Sequence, residues 1–350
     1  LASALEEAGT PARFVEATQL IVTDAHYQAA HPDLEATRQR ARQVLFPLFE
    51  EGWIPVVTGF IAATPEGSPT TLGRGGSDYS AALLGAALPA DEVWIWTDVD
   101  GVMTTDPRLA PQARSIPALT YREIAELAYF GAKVLHPKTI RPVVDAGIGL
   151  RICNTFHPQH PGTRLVQDAA NSVRGVALSN GAPMPGGIIK AVTAIQGQRL
   201  ITLEGRGMLG VPGVAARTFA AVASTGTSVP LITQASSEQS ICFAVPAEAA
   251  EQVIVALKQA FAVELAHRDI DSVWASDEVV LVTAVGAGMR HTPGVAGRIF
   301  SALGRQGVNV IAIAQGSSEV SISLVVEAKD GQPAVSALHA LIQEESPDGG

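Results

Sequence analysis

The sequence predicts an α/β domain with a mostly parallel sheet and helices on both faces, followed by two similar α+β domains. Residues 1–170 alternate apolar segments of strand length with helical segments, a pattern typical of such sheets. Residues 207–245 (the first repeat) realign without gaps on residues 288–326 (the second repeat). The chain has 350 residues, which is long enough for two or three domains.

The predicted elements of the first domain follow one another in the order that this class requires. The predicted strands cover residues 14–22, 54–60, 93–97 and 150–154, and the predicted helices cover residues 34–51, 78–87 and 121–130. Proline, glycine and polar residues then indicate a linker. The predicted boundaries are 1–170 for the first domain, 171–198 for a linker and entry strand, 199–275 for the first α+β domain and 276–346 for the second.

The composition is that of a folded soluble protein, with 47% hydrophobic and 17% charged residues. The formal net charge is −10, and without a basic cluster nucleic-acid binding is not expected. Cys153 and Cys242 are the two cysteines, too few for a disulfide framework or a zinc site. We therefore expect a cytoplasmic protein, and we assign no side chain to a metal site. No apolar run is long enough to predict a membrane span.

A glycine-rich loop precedes an apolar helix. Its residues are Thr71, Leu72, Gly73, Arg74, Gly75, Gly76, Ser77 and Asp78. Glycines let backbone N–H groups converge on an anion, and the positive end of the helix dipole adds to that field. Alternatively, the loop is a tight turn in which Ser77 or Asp78 caps the helix. The cation Arg74 between glycines favours a phosphate or carboxylate site.

Polar residues also follow the apolar strand 93–97. A hydroxyl and carboxylates at the carboxyl end of a strand are where α/β proteins contact a nucleotide and its metal. Thr97 and Asp98 occupy this position, although the Asp-x-Asp-Gly sequence also forms ordinary turns. Lys133 follows a glycine at a helix end, where it either contacts phosphate or complements the helix C-terminus.

Three motifs together resemble the aspartate kinases of the amino-acid kinase superfamily. They are TLGRGGSDYSA, WTDVDGV with TTDPR, and FGAKVLHPKTI. The segments LITQASSEQSICFAV and IAIAQGSSEVSISLVV look most like the paired ACT domains of threonine-sensitive aspartokinase/homoserine dehydrogenases. The resemblance implies an amino-acid kinase fold followed by two ACT domains. It also implies that ATP, with Mg²⁺, phosphorylates the side-chain carboxylate of L-aspartate to 4-phospho-L-aspartate, the first step towards lysine, threonine and methionine.

The resemblance assigns roles to individual residues. Arg74 pairs with a carboxylate of aspartate, as a guanidinium fork can, and Asp78 orients the phosphate-binding apparatus. The substrate-binding residues implied are Thr71, Gly73, Arg74, Gly75, Gly76 and Ser77. The nucleotide-binding residues implied are Thr97, Asp98, Met103, Arg108 and Lys133. Met103 stands where many relatives carry a tyrosine.

The opening Lys-Phe-Gly-Gly-Thr-Ser segment of the family has no counterpart in these residues. Its lysine is expected to neutralise the transferred phosphoryl group. We therefore expect an N-terminally truncated kinase that is inactive, or nearly so, by itself. The alternative is a non-catalytic amino-acid-binding regulatory subunit with a vestigial kinase lobe.

In each repeat a Pro-Gly-Val-Ala turn opens a helix, and a strand ends in Gln-x-Ser-Ser-Glu. Helix N-terminal amides and edge-strand carbonyls supply the donors and acceptors that a free amino acid needs. The predicted effector contacts are Met208, Gly213, Val214, Ala215 and Gln234 in the first repeat, and Gly294, Val295, Ala296 and Gln315 in the second. Alternatively, these polar strand ends are only structural.

By resemblance, Gln234 and Gln315 recognise the hydroxyl of threonine. Lysine-sensitive relatives often carry an acid where this sequence has Pro230, so threonine is favoured over lysine as the effector. ACT pairs usually complete their sheets across a dimer interface. We therefore expect a homodimer or a higher homo-oligomer, with small molecules as its other partners.

Overall fold

The computed structural model describes residues 1–88, 90–130, 135, 137–166, 187–234 and 239–344. The chain divides into two compact units. Unit 1 comprises Leu1–Val102 and Ser115–Pro185, and unit 2 comprises Met103–Arg114 and Gly186–Gly350. Residues Met103–Arg114, here called the inserted segment, therefore belong to unit 2 although unit 1 precedes and follows them in sequence.

Unit 1 has the α/β organisation that the sequence predicts. Its helices are α1 (Ala2–Glu7), α2 (Leu34–Glu50), α3 (Gly76–Ala87), α4 (Tyr121–Tyr129) and α5 (Pro137–Ala146). Its strands are β1 (Ala12–Val15), β2 (Val22–Thr23), β3 (Pro32–Asp33), β4 (Ile54–Val57), β5 (Ile61–Ala63), β6 (Pro69–Thr71), β7 (Glu92–Thr97), β8 (Ala118–Thr120), β9 (Gly149–Asn154) and β10 (Thr163–Val166). The sheets have the orders β1-β4, β3-β2-β5-β6 and β7-β9-β10-β8. The pairs β1/β4, β2/β5, β7/β9 and β8/β10 are parallel.

The predicted strand over residues 14–22 is wrong in its middle. A 3-10 turn at Ala17–Gln19 separates β1 from β2. The Ala17 N–H donates to Thr58 Oγ1 at 2.9 Å, and Ala17 is fully buried. The apolar run therefore enters the core through a turn rather than as one continuous strand. Hydrophobicity without periodicity does not distinguish these two structures.

Helix α2 buries one face. In α2, which has 17 residues, Thr37, Ala41 and Leu45 are buried at four-residue spacing. Asp33 caps this helix by accepting two backbone N–H groups of the first turn, each at 3.0 Å. Within the described residues, none of the helices combines the length and the apolar character that crossing a bilayer requires.

Unit 2 contains the duplicated architecture. Its elements are β11 (Ala191–Glu204), α6 (Val214–Ser224), β12 (Leu231–Gln234), β13 (Ser240–Pro246), α7 (Ala250–Ala260), α8 (Ala262–His267), β14 (Ser272–Val285), α9 (Val295–Arg305), β15 (Ala312–Gln315), β16 (Ser321–Glu327) and α10 (Gly331–Glu344). The six strands form one antiparallel sheet of order β12-β13-β11-β14-β16-β15. Each half reads strand, helix, strand, strand, helix, and the first half adds the short helix α8.

The long strands β11 and β14 serve both halves of unit 2. Residues 198–204 of β11 pair with β13, whereas residues 191–195 pair with the last residues of β14. Ile189 and Val192 are buried in the core around the second repeat. The start of β11 at Ala191 lies within residues 171–198, where a linker and entry strand are predicted.

Candidate active site and effector pocket

The glycine-rich loop enters α3 through left-handed backbone. Gly73 has φ 79° and Gly75, the N-cap residue, has φ 65°. Such angles cost a residue with a side chain about 1–2 kcal/mol. The Gly76 N–H donates to the Gly73 carbonyl at 3.1 Å. The loop is thus a tight turn, and its N-cap residue is Gly75 rather than Ser77 or Asp78, which the alternative interpretation names.

The first turn of α3 is held against Phe60. A Cβ on Gly76 would lie 2.5 Å from Phe60 Cδ2 and 3.2 Å from Phe60 Cα. Phe60 itself has φ 74°, which is rare for a bulky side chain. Its N–H donates to Ser80 Oγ at 3.0 Å, and Ser80 Oγ donates to the Gly76 carbonyl at 2.9 Å. This strained contact fixes the position of the loop.

Arg74 extends from the loop into solvent. Within the part of the chain that the structure describes, its guanidinium makes no hydrogen bond or ion pair. It lies next to the N-terminus of α3, where the helix dipole is positive. An unpaired guanidinium beside the positive end of a helix dipole is suited to bind an anion.

Asp78 lies in the first turn of α3 and is half-buried. Burial raises the pKa of its carboxyl group above the ordinary value. The helix dipole, in contrast, favours a negative charge here. The carboxylate of Asp78 thus lies four residues after the cation Arg74 in sequence.

A second loop, residues 24–31, lies against the start of the glycine-rich loop. The Thr71 N–H and Oγ1 both donate to the Tyr27 carbonyl, at 2.9 and 2.8 Å. The Ala30 N–H donates to the Thr71 carbonyl at 3.0 Å. Thr71, a predicted substrate residue, therefore uses its hydroxyl to hold this second loop.

The second loop also contains a polar cluster that the sequence prediction missed. Asp24 Oδ2 lies 2.9 Å from His26 Nδ1 and 3.2 Å from His31 Nδ1. Backbone N–H donation from His31, and then from His26, holds the pKa of Asp24 well below its usual range. One carboxylate and two imidazoles are a ligand set that zinc accepts. The spacing D-x-H-x₄-H is the sequence pattern from which this cluster could have been predicted. All three side chains are exposed.

The predicted nucleotide residues Thr97 and Asp98 follow one another at the end of β7. The Thr97 hydroxyl donates to Asp98 Oδ1 at 3.1 Å, and Asp98 is exposed. Asp100 instead contacts Asn154 Nδ2 at 2.8 Å and His157 Nδ1 at 3.1 Å. These contacts, that of Asn154 first, lower the pKa of Asp100. Asp100 fastens the turn to β9, while Asp98 remains open to a ligand.

The other predicted nucleotide residues have different positions. Met103 and Arg108 belong to the inserted segment of unit 2. The Arg108 guanidinium forms a fork with Asp106, with Nε–O and Nη2–O distances of 3.0 and 2.6 Å. This hydrogen bonding raises the pKa of Arg108. Lys133 lies outside the described residues.

A pocket of about 340 Å³ lies in the first repeat. It is lined by Met208, Gly210, Val211, Pro212, Gly213, Val214, Ala215, Gln234 and Ile241. The five effector residues predicted for this repeat all line it. They converge because Gly213, with φ 88°, turns the chain into α6, while Gln234 ends the neighbouring strand β12.

The second repeat has the same local geometry, but the first residue of its helix is more buried. Gly294 has φ 86° and precedes α9, and Gln315 ends β15. Val295 is buried whereas Val214 is half-buried. Ala296 and Gln315 are exposed. The His291 N–H donates to Glu319 Oε2 at 3.0 Å, so a side chain of the protein already occupies one amide of this loop.

Comparisons with known proteins agree with both halves of this architecture. Residues 1–154 match the Amino acid kinase family, and residues 201–261 and 282–341 match the ACT domain. The chain is 40% identical over 341 residues to a bifunctional aspartokinase/homoserine dehydrogenase 1 of Zea mays, covering 97% of this chain and 36% of that protein. It thus spans about a third of the length of this bifunctional relative.

Two further relatives cover the chain almost completely. It is 35% identical to the aspartokinase of Thermus thermophilus over 344 residues, covering 95% of this chain and 76% of that protein. The solved structure of E. coli aspartokinase III in complex with aspartate and ADP has a TM-score of 0.73 and 30% identity, covering 97% of this chain and 71% of that chain. The predicted combination of a kinase fold with ACT domains is confirmed, and the chain belongs to the aspartokinase family.

Proposed function

We propose that the protein transfers the γ-phosphoryl group of ATP to the side-chain carboxylate of L-aspartate. The observation that carries this proposal is the glycine-rich loop with its unpaired Arg74 in a chain of the aspartokinase family. The E. coli relative, solved with aspartate and ADP, supports the choice of both substrates.

Two elements of unit 1 support the assembly of one site. A Cβ on Gly85 of α3 would lie 2.4 Å from Val93 Cγ2 of β7, so helix and strand pack closely. In sequence, only residues 88–91 separate α3 from β7. From this contact to Gly76 and to Thr97, both elements extend by roughly 13 Å. We infer that the glycine-rich loop and Asp98 lie at the same edge of unit 1.

The proposed chemistry needs charge stabilisation more than proton transfer. The carboxylate of aspartate is ionised at neutral pH and attacks phosphorus without a general base. Arg74 would hold a carboxylate of the substrate in a bidentate pair, and the amides at the start of α3 would face the negative charge. The open carboxylate of Asp98 suits Mg²⁺, a hard cation that prefers oxygen ligands. Bound Mg²⁺ would neutralise charge on the phosphates.

Formation of aspartyl hydroxamate from L-aspartate, MgATP and hydroxylamine tests this function directly. We expect the complete gene product to form the hydroxamate from L-aspartate and at least tenfold more slowly from L-glutamate. The 350-residue chain, measured beside it, shows how much of the activity these residues carry. Equal or faster use of L-glutamate by the complete product would contradict the proposal.

We further propose that the pocket of the first repeat binds L-threonine as a feedback effector. Its size suits an amino acid, and it combines the amides at the start of α6 with the polar side chain of Gln234. An amide side chain can bond the threonine hydroxyl, either as donor or as acceptor. The apolar Met208, Val214 and Ile241 would contact the methyl group.

Isothermal titration with L-threonine, L-valine and L-lysine tests the effector. We expect threonine to bind, valine to bind about tenfold more weakly because it lacks the hydroxyl, and Gln234→Ala to remove this preference. Gln315→Ala is the matched control in the second repeat and should leave the pocket of the first repeat unchanged. Binding of lysine without threonine would overturn the assignment.

A further inference from the structure

The second loop, residues 24–31, is an ordered connection between two paired strands of unit 1. The strands β2 and β3 pair antiparallel at its base. The Asp24 N–H donates to the His31 carbonyl at 3.0 Å, and the Ala29 N–H donates to the His26 carbonyl at 3.0 Å. These bonds fix the backbone that carries the side chains of Asp24, His26 and His31.

The two oxygens of the Asp24 carboxylate have different contacts. Oδ1 accepts the backbone N–H groups of His26 and His31, at 3.1 and 3.0 Å. Oδ2 lies 2.9 Å from His26 Nδ1 and 3.2 Å from His31 Nδ1. One oxygen therefore orients the carboxylate, while the other converges with the two imidazoles. Metal ligands are commonly oriented by outer hydrogen bonds of this kind.

The separations of these atoms are close to those around a tetrahedral zinc ion. Zinc binds nitrogen and oxygen at about 2.0–2.2 Å, so two ligand atoms on one ion lie about 3.3–3.6 Å apart. The three ligand atoms here, one from each side chain, all lie within 4.8 Å of one another. The side chains of His26 and His31 are 76% and 70% exposed, so both rings can adjust to an ion without displacing the core.

We propose that Asp24, His26 and His31 bind a zinc ion through Asp24 Oδ2 and one ring nitrogen of each histidine. Water would fill the fourth position, as it does where zinc has three protein ligands. Imidazole nitrogen suits zinc, whereas magnesium prefers oxygen ligands, so this ion differs from the Mg²⁺ of the proposed phosphoryl transfer. The site lies within unit 1 and does not rest on the proposed function.

Zinc would also fasten the loop that holds the glycine-rich loop. Tyr27 lies between the proposed ligands in sequence, and its carbonyl accepts both the N–H and the Oγ1 of Thr71. A Cβ on Gly73 would lie 3.4 Å from the Gln28 carbonyl oxygen, so the two loops are in contact. A bound ion would therefore oppose the opening of the second loop away from Thr71 and Gly73.

Isothermal titration of the complete gene product with zinc chloride tests the site. We expect each of His26→Gln, His31→Gln and Asp24→Asn to bind one zinc ion about tenfold to 100-fold more weakly than the unmodified protein. Asparagine keeps an oxygen that can accept the two backbone N–H groups, so Asp24→Asn removes the charged ligand while the loop can retain its bonds. Excess magnesium chloride should not displace the zinc ion.

His157→Gln is the matched control. The side chain of His157 is 68% exposed, and its Nδ1 lies 3.1 Å from Asp100 Oδ1. This pair resembles those of the second loop but belongs to no group of three possible metal ligands within the described residues. The control should bind zinc as the unmodified protein does. An equal loss in His157→Gln would indicate adventitious binding to surface histidines and overturn the proposal, as would unchanged zinc binding in the three ligand variants.

Limited chymotrypsin digestion reports on the loop itself and does not depend on kinase activity. Tyr27 is 56% exposed and offers a cleavage site between the ligands. Zinc at about ten times its dissociation constant should slow cleavage after Tyr27 about tenfold, because the opened loop no longer brings the ligands together. The effect should be absent in His31→Gln and present in His157→Gln. Equal cleavage of the unmodified protein with and without zinc would show that no ion closes this loop, and would overturn the proposal.

Discussion

Replacing Arg74 with alanine is expected to lower kcat/KM for L-aspartate by roughly 10- to 150-fold. The loss should be this large because the guanidinium has no partner within the described residues and would form a charged bidentate pair with the substrate. Arg74→Lys keeps the charge but not the fork, so we expect an intermediate value. Hydroxamate formation at several aspartate concentrations measures both variants.

The stability of these variants separates a binding role from a folding role. Arg74 is exposed, so its removal should leave the thermal midpoint nearly unchanged. Arg38→Ala is the matched control, because it removes a half-buried arginine that pairs with Glu35 at 2.7 Å on α2. The control should retain full activity. An Arg74→Ala enzyme with kcat/KM within threefold of the unmodified enzyme would refute the assignment.

Replacing Gly286 with alanine should be the most destabilising of the substitutions considered for unit 2. A Cβ there would lie 2.2 Å from the Ile188 carbonyl oxygen and 3.0 Å from Ile189 Cα. These are backbone atoms, and they cannot rotate away as a side chain could. We expect a loss of about 3 kcal/mol, or a fall of roughly 6–12 °C in thermal midpoint, measured by differential scanning calorimetry.

A glycine-to-alanine substitution elsewhere in unit 2 should raise the free energy of unfolding instead of lowering it. Gly297 lies inside α9, and a Cβ there would meet nothing within 4 Å. Gly297→Ala should therefore stabilise the unit by about 0.5–1 kcal/mol, because alanine has the higher helix propensity. If Gly286→Ala melted no earlier than Gly297→Ala, the close approach at Gly286 would not have the importance that we assign to it.

The order of elements could be read from the sequence because it depends on local patterns. The alternation predicted for residues 1–170 and the 81-residue offset between the repeats are both found in the part of the chain that the structure describes. The position of the inserted segment could not be read in this way. Its attachment depends on the bond between Thr104 and His339, which are 235 positions apart, and no local pattern distinguishes it from an exposed loop.

The candidate site, too, could be predicted from the sequence only in part. The glycines and Arg74 follow from the chemistry of a short motif, and the structure forms the turn that they predict. The contacts that fix this turn are long-range, from Phe60 to Ser80 and from Thr71 to Tyr27. A distant residue also decides which aspartate of the Asp-x-Asp-Gly turn is open to a ligand. Asn154 donates a hydrogen bond to Asp100, and Asp98 remains open.

The strands β11 and β14, which serve both halves of unit 2, limit how this protein can change during evolution. A gene fragment encoding only residues 199–275 would lose residues 187–195, which complete the core of the other half. Recombination between relatives should therefore exchange the two ACT domains together, since a breakpoint between them would divide a continuous sheet. New effector specificities would then arise by substitution inside the pair rather than by replacement of one member.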